Sequence, residues 1–232
     1  MMRPVVRLAG IPAVLAVLIA SRATRWAEEP STRHPAPAPT LDQPLGAGTR
    51  EDTAVFAGGC FWGIETVFEH VKGVSSATAG YSGGNVPAPS YEQVSSGRTG
   101  HAESVRVTFD PTQVSYGTLL QIFFSVAHDP TELNRQGPDV GTQYRSIVFY
   151  STAEQKRIAE AYIRQLTEAK IFQRPIVTEV LPLRAFYPAE AYHQHYAMRH
   201  PDQPYIAMFD LPKVALLRRE FPTLYHDVAD NE

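Results

Sequence analysis

Ala54-Val55-Phe56-Ala57-Gly58-Gly59-Cys60-Phe61-Trp62-Gly63 joins an apolar run to a helical pattern through two glycines. Beyond the junction, Phe61, Ile64, Val67, Phe68 and Val71 recur three or four apart, with Glu65, Glu69 and Lys72 between them. The spacing predicts a buried strand over residues 53–57, a glycine turn, and an amphipathic helix over 61–71. Cys60 then sits at or beside a helix N-terminus, where free N–H groups and the positive end of the helix dipole favour a thiolate. An ordinary thiol titrates near ~8.5, so a depression of one or two units would make the thiolate a major species at neutral pH. A lone cysteine is more often a small buried hydrophobe. Here the glycines before it and the aromatics after it favour a reactive thiol, since a core cysteine has no need of close backbone approach.

Cys60 is the only cysteine in 232 residues, which are 44% hydrophobic and 19% charged with a formal net charge of −3. This is the composition of a soluble globular protein, with room for one domain or at most two. A single cysteine excludes an intramolecular disulfide, a Cys-rich zinc site and a Cys-x-x-Cys redox pair. No clustered Lys/Arg footprint marks nucleic acid as a partner.

Arg3 and Arg7 precede an apolar run over residues 8–20, and Ser21-Arg22-Ala23 follows with small residues at the spacing of a cleavage site. That pattern predicts a signal peptide over residues 1–23, with an uncleaved N-terminal anchor as the alternative. Pro30, Pro35, Pro37, Pro39 and Pro44 make residues 24–50 an extended, poorly ordered linker. The expected location is outside the cytoplasm, in the periplasm or anchored facing it. A catalytic domain is expected over residues 51–225.

Within that domain, strands are predicted over residues 74–81, around the alternating Val105, Val107 and Phe109, over 147–150 and over 176–181. Residues 91–95 offer one helical turn. Ser115 caps a helix with Tyr116, Leu119, Leu120, Phe123, Phe124 and Ala127 on its apolar stripe, ending before Pro130. Thr152 and Gln155 form a capping-box pattern before a long helix with Ile158, Tyr162 and Leu166 inward. Residues 189–200 and 213–220 read as helices. The first six elements run strand, helix, strand, strand, helix, strand. The fold expected is α+β, a two-layer sandwich with a ferredoxin-like βαββαβ core and C-terminal additions.

The remaining polar residues fall in loops: 80–84, 97–103, 128–131 and the long stretch 134–146. Such loops on a rigid sheet often hold binding residues. Glu103 taken alone reads as a solvated strand-edge carboxylate. His101 and His128 read as hydrogen-bonded loop residues. His193, His195 and His200 read as surface or helix-packing histidines rather than metal ligands, because i, i+2 spacing does not put two ligands on one helical face.

Taken together, the stretches 59–63, 80–84, 97–103, 128–131, 134–146 and 187–196 resemble the A-type peptide methionine sulfoxide reductase family, over about residues 52–205. The resemblance implies that Cys60 is the nucleophile on the sulfoxide sulfur, that Phe61 and Trp62 wall the pocket for the S-methyl group, and that Glu103 protonates the departing oxygen. It implies that Tyr91 and Tyr144 donate hydrogen bonds to that oxygen and that Asp139 supports the site. The implied substrate is the S epimer of methionine sulfoxide, free or in proteins. Many family members carry further cysteines near the C-terminus, and none follows Cys60 here. The expected partner is therefore an external thiol such as thioredoxin, glutaredoxin or a small thiol, with no bound cofactor and no metal. A monomer is expected, and Ala191 stands where an acidic residue is common. Two other readings stay open at this level: another thiol enzyme, such as a peroxidase or a cysteine hydrolase, and a non-catalytic exported module that binds oxidised methionine.

Overall fold

The computed structural model describes residues 35–46 and 51–228. The signal peptide or anchor expected at residues 1–23 lies outside them. No helix among the described residues is long and apolar enough to cross a membrane.

The elements run β1 (Asp52–Ala57), α1 (Phe61–Glu69), β2 (Val74–Ser82), α2 (Tyr91–Ser95), β3 (Ala102–Phe109), α3 (Tyr116–Ile122), β4 (Arg135–Gln136), β5 (Asp139–Val140), β6 (Ile147–Tyr150), α4 (Ala153–Glu168), β7 (Glu179–Pro182), β8 (Phe186–Pro188), α5 (Tyr196–Arg199) and α6 (Leu211–Glu220). Six strands form one sheet in the order β7-β6-β1-β3-β2-β8, and β4 and β5 form a separate hairpin. The inner four, β6-β1-β3-β2, are antiparallel throughout, with α1 between β1 and β2 and α3 between β3 and β6. This is the ferredoxin-like core, and β7, parallel to β6, and β8, antiparallel to β2, extend it at the two edges.

The period of two in β1 divides the packing. Ala54 and Phe56 join the main core with Val105 and Val107 of β3, Ile64, Val67 and Phe68 of α1, Leu119 and Leu120 of α3, and Ile158, Tyr162 and Leu166 of α4. Val55 and Ala57 face the other way and pack with Ala102, Ile147 and Phe149. That second face is covered by Leu181, Leu183 and Phe186. The three residues 183–185 carry the chain from one sheet edge to the other: Leu183 N–H bonds Tyr150 O at 2.8 Å, and Phe186 already pairs with Ser82. Four residues reach at most about 14 Å, so opposite corners of the sheet must coil together over this face. Phe149 on β6 accordingly lies against Gly83, just beyond β2.

Three expectations change. Residues 35–46 are not the loose linker expected of them: a Pro-rich strand has no ladder of its own, and side chains on α3, on the π-helical turn Phe123–Ala127 that follows it and on α4 satisfy its backbone instead. Ala36 N–H bonds Ser125 Oγ at 2.9 Å, Gln121 donates to Ala36 O at 2.7 Å, and Tyr162 OH donates to Pro37 O at 2.9 Å. The Thr152 cap is half of the box: Thr152 Oγ1 accepts Gln155 N–H at 3.1 Å, but Gln155 Oε1 takes the N–H of Ser151 rather than of Thr152. The expected helix over 189–200 is broken into a 3₁₀ turn at Ala191–His193 and the short α5, with Gln194 extended and His195 left-handed between them. The cause is tertiary. Gln194 Nε2 donates to Ala79 O at 3.0 Å while its Oε1 accepts Ala79 N–H, and His195 N–H bonds Glu65. Those side-chain bonds hold the chain against β2 and α1 in place of a continuous helical ladder.

Candidate active site

β1 ends at Ala57, and the chain turns through Gly58 and Gly59 into Cys60, the N-cap of α1. Gly59 has φ +109°, open only to glycine, and a Cβ there would lie 2.7 Å from Gln136 Cβ. Gln136 cannot retreat easily, since its amide bonds both the N–H and the C=O of Asp129 at 2.9 and 3.1 Å. Gly59→Ala is therefore expected to destabilise the protein by about 2–4 kcal/mol through backbone strain and overpacking, visible as a lowered Tm in a thermal melt.

Cys60 is buried, 9% exposed as a residue. Across from it, Glu103 opens β3 on the helix-covered face and is 1% exposed. Its Oε2 accepts the N–H of Phe61, the residue after Cys60, at 3.0 Å. The strand-edge reading of a solvated carboxylate fails because Glu103 sits opposite Tyr81 of β2 and its side chain bonds the first residue of α1, which leaves it buried. Burial pushes Glu103 up to about 8; the Phe61 hydrogen bond pulls it down and the charge of Asp139 pushes it further up. The carboxyl thus keeps its proton at neutral pH.

The resting thiol departs from expectation. Burial raises the Cys60 pKa well above an ordinary thiol, and the charges of Glu103, Asp210 and Asp139 add to it. The helix N-terminus does act, through a hydrogen bond from Trp62 N–H, but burial outweighs it. The free site therefore rests as a thiol beside a carboxylic acid.

Tyr91 and Tyr144 belong to the same electrostatic neighbourhood. Burial raises both phenols, and the charges of Glu103 and Cys60 bear on each. Both stay protonated as hydrogen-bond donors. Asp139 arrives on the β4–β5 hairpin and accepts a short hydrogen bond from Tyr205 OH. Phe61 is fully buried and backs the site, its ring 5.9 Å from Tyr81 and 5.0 Å from His193. Trp62 keeps some exposure; it stacks on Tyr196 at 4.0 Å and donates from Nε1 to His193 Nδ1 at 3.2 Å. The structure brings all seven residues singled out in the sequence to one end of α1.

Several neighbours were given no site role by the sequence. Tyr205 lies far along the chain, at the start of the π-helical turn Ile206–Asp210, yet after burial it is charge on Cys60 that would raise its phenol most. Asp210 is wholly buried, paired with Lys213 at 3.2 Å, and has one oxygen without a partner. Gly63 makes room for this pair, since a Cβ there would meet Asp210 Oδ1 at 2.1 Å. His193, buried with Nε2 unpartnered, packs on Phe61, Trp62 and Tyr91. Glu190 ties the wall together, accepting Tyr81 OH at 2.9 Å and Tyr91 N–H at 2.8 Å. The two loop histidines are structural. His101 accepts from Gly84 N–H and bonds Val86 O, and His128 bridges Phe123 O and Ser146, its pKa pushed down to about 4 by burial.

The donor pattern suits one kind of chemistry. A sulfur nucleophile among aromatic side chains has a protonated carboxyl and two phenols near it, the groups that can serve an oxygen on which negative charge grows.

Comparison with known proteins agrees. Residues 52–223 match the family described as Peptide methionine sulfoxide reductase. The chain is 55% identical over 187 residues to "Peptide methionine sulfoxide reductase MsrA 2" of Mesorhizobium japonicum, covering 81% of this chain and 95% of that one. It is 51% identical over 182 residues to "Peptide methionine sulfoxide reductase MsrA" of Deinococcus radiodurans, covering 78% of this chain and 88% of the relative. Among solved structures, methionine sulfoxide reductase A of Corynebacterium diphtheriae superposes with a TM-score of 0.57 at 35% identity, over 73% of this chain and 87% of that one. Reduced Mxr1 of Saccharomyces cerevisiae superposes with a TM-score of 0.60 at 30% identity, over 71% and 92%.

Proposed function

The chain belongs to the peptide methionine sulfoxide reductase family and reduces methionine sulfoxide to methionine; from that premise we propose how its residues divide the work. The Cys60 sulfur attacks the sulfoxide sulfur. Glu103 gives its proton to the oxygen, which would otherwise leave poorly. Tyr91 and Tyr144 hydrogen-bond that oxygen as charge develops, and Asp139, held by Tyr205, fixes the hairpin beside it. Trp62, backed by Phe61, receives the methyl group. The methionine sulfoxide, the thiolate and the carboxylic acid become methionine thioether, a Cys60 sulfenic acid and a Glu103 carboxylate. The sulfoxide sulfur gains two electrons and the cysteine sulfur loses two.

The observation that supports this reading most is the buried Glu103 carboxyl, bonded to the N–H next to Cys60 and protonated near neutral pH. Because each charge raises the other's pKa, the pair carries one negative charge at most near neutral pH. The reactive arrangement has that charge on sulfur and the proton on Glu103. A sulfoxide, with a positive sulfur and a negative oxygen, favours that arrangement when it enters.

The preferred substrate is the S epimer, in peptides or as the free amino acid. The product sulfenic acid is returned to thiol by an external reductant, a thioredoxin, a glutaredoxin or a small thiol. The protein is exported, to the periplasm or anchored facing it. The test is a reductase assay on both epimers of a methionine sulfoxide peptide with each reductant class. Turnover of the S epimer alone is expected, and equal rates on both epimers would reject the assigned geometry. Peroxide outcompeting the sulfoxide as oxidant would favour a peroxidase instead.

A further inference from the structure

Further along α1, away from Cys60, Glu65 and Glu69 sit one helical turn apart. The turn before α5 lays His195 against them. One carboxylate oxygen from each glutamate and one ring nitrogen of His195 lie within 4.8 Å of one another. Glu65 is 1% exposed and takes two backbone donors, Ala79 N–H at 3.2 Å and His195 N–H at 2.9 Å. The Glu69 side chain is 8% exposed. Its Oε1 is bonded to His195 Nδ1, and its Oε2 is buried with no hydrogen-bond partner. A buried carboxylate oxygen without a donor is rare in a folded protein and points to a missing ligand.

Arg199 lines the adjoining cavity and its charge bears on Glu65, but its Nη2 donates to the carbonyls of Tyr192 and Gln194 and not to the free oxygen of Glu69. His70 Nδ1 donates to Thr66 O, and His226 lies on the rim of the adjoining cavity. That cavity, of about 520 Å³, is lined by Glu69, Val74, His195 and Met198 among others, and leaves room for water on an ion.

We propose that Glu65, Glu69 and His195 form a divalent-metal site for a zinc-class ion. Two carboxylate oxygens and one imidazole nitrogen are three ligands of a tetrahedral set, with the fourth position open to water in the cavity. Glu69 supplies the oxygen that lacks a donor. His195 meets its partners on α1 rather than at His193, a pairing that no spacing along the chain reveals. The site has a structural consequence. His195 lies between His193 and Tyr196, whose rings pack on Trp62, so a bound ion ties that wall of the substrate pocket to α1.

The experiment is isothermal titration of the tag-free full chain, stripped with chelator, against zinc chloride. One ion per chain is expected. Cys60→Ser should keep that stoichiometry. Glu69→Gln and His195→Ala should each weaken binding at least about tenfold, and His195 is exposed enough that its variant keeps the fold, checked by circular dichroism. Absence of zinc uptake would overturn the site. So would uptake that survives both variants, or uptake that vanishes with Cys60→Ser, which would assign the ion to the thiol.

Discussion

Mixed with excess methionine sulfoxide peptide and no added thiol, the protein is expected to release at most one methionine per chain and stop. The reasoning is stoichiometric. Each reduction leaves Cys60 two electrons poorer, as a sulfenic acid. A sulfenic acid is commonly cleared within a protein by a second thiol, and this chain has one cysteine in total. Cys60 is also only 9% exposed, which disfavours two chains meeting sulfur to sulfur. Rapid-quench counting of methionine, with mass spectrometry of Cys60 at the plateau, checks the result. A plateau of one with a 16 Da adduct on the peptide containing Cys60 is expected. Several turnovers without thiol would sink the proposed cycle. Adding thiol should restore steady turnover, and Cys60→Ser should lose even the first equivalent.

Glu103→Gln is expected to lower kcat by about 10²–10⁴-fold, the range for loss of a positioned general acid. Glutamine keeps the shape and can still accept the Phe61 N–H, so the defect is one of proton supply. The sign of the pH dependence follows from the direction of the shift. Glu103 is pushed up to about 8, so its acid form is available below that pH and is lost as pH rises through it. Wild-type kcat should fall through an alkaline limb near pH 8, and the limb should be missing in the variant. The same shift predicts a gain elsewhere. An acid whose pKa is higher folded than unfolded holds its proton more tightly in the folded state, so stability declines as pH climbs from the unfolded value toward 8. Glu103→Gln escapes this cost and should melt above wild type at pH 8 to 9. A variant with wild-type kcat, or one that keeps the alkaline limb, would remove Glu103 from the role of acid.

Legibility in the sequence tracked the range of the forces involved. α1, β3 and α4 were readable because their apolar residues repeat at the period of the element; the single turn expected at 91–95 is α2, whose capping box of Ser90 and Gln93 the structure shows. The β4–β5 hairpin carries Asp139 with only two residues per strand, too few for any alternation to register. β8 and the break at Gln194 depend on contacts with β2 and α1, more than 100 residues away along the chain. Among the site residues, those inside distinctive stretches were visible. Tyr205 and the Asp210–Lys213 pair were not, because each matters only through where the C-terminal segment is folded back.

The amino-acid sequence alone determined that this protein has a single thiol placed by a glycine turn at the head of a helix, and so that any oxidation of it must be undone from outside. Those facts need only composition and local backbone rules. The tertiary structure decided the protonation of that thiol and of its partner carboxyl, and it reversed the expectation of a resting thiolate. The physical reason is that a helix terminus acts on its own first turn, whereas the desolvation that dominates at Cys60 and Glu103 is set by every chain segment that closes over them.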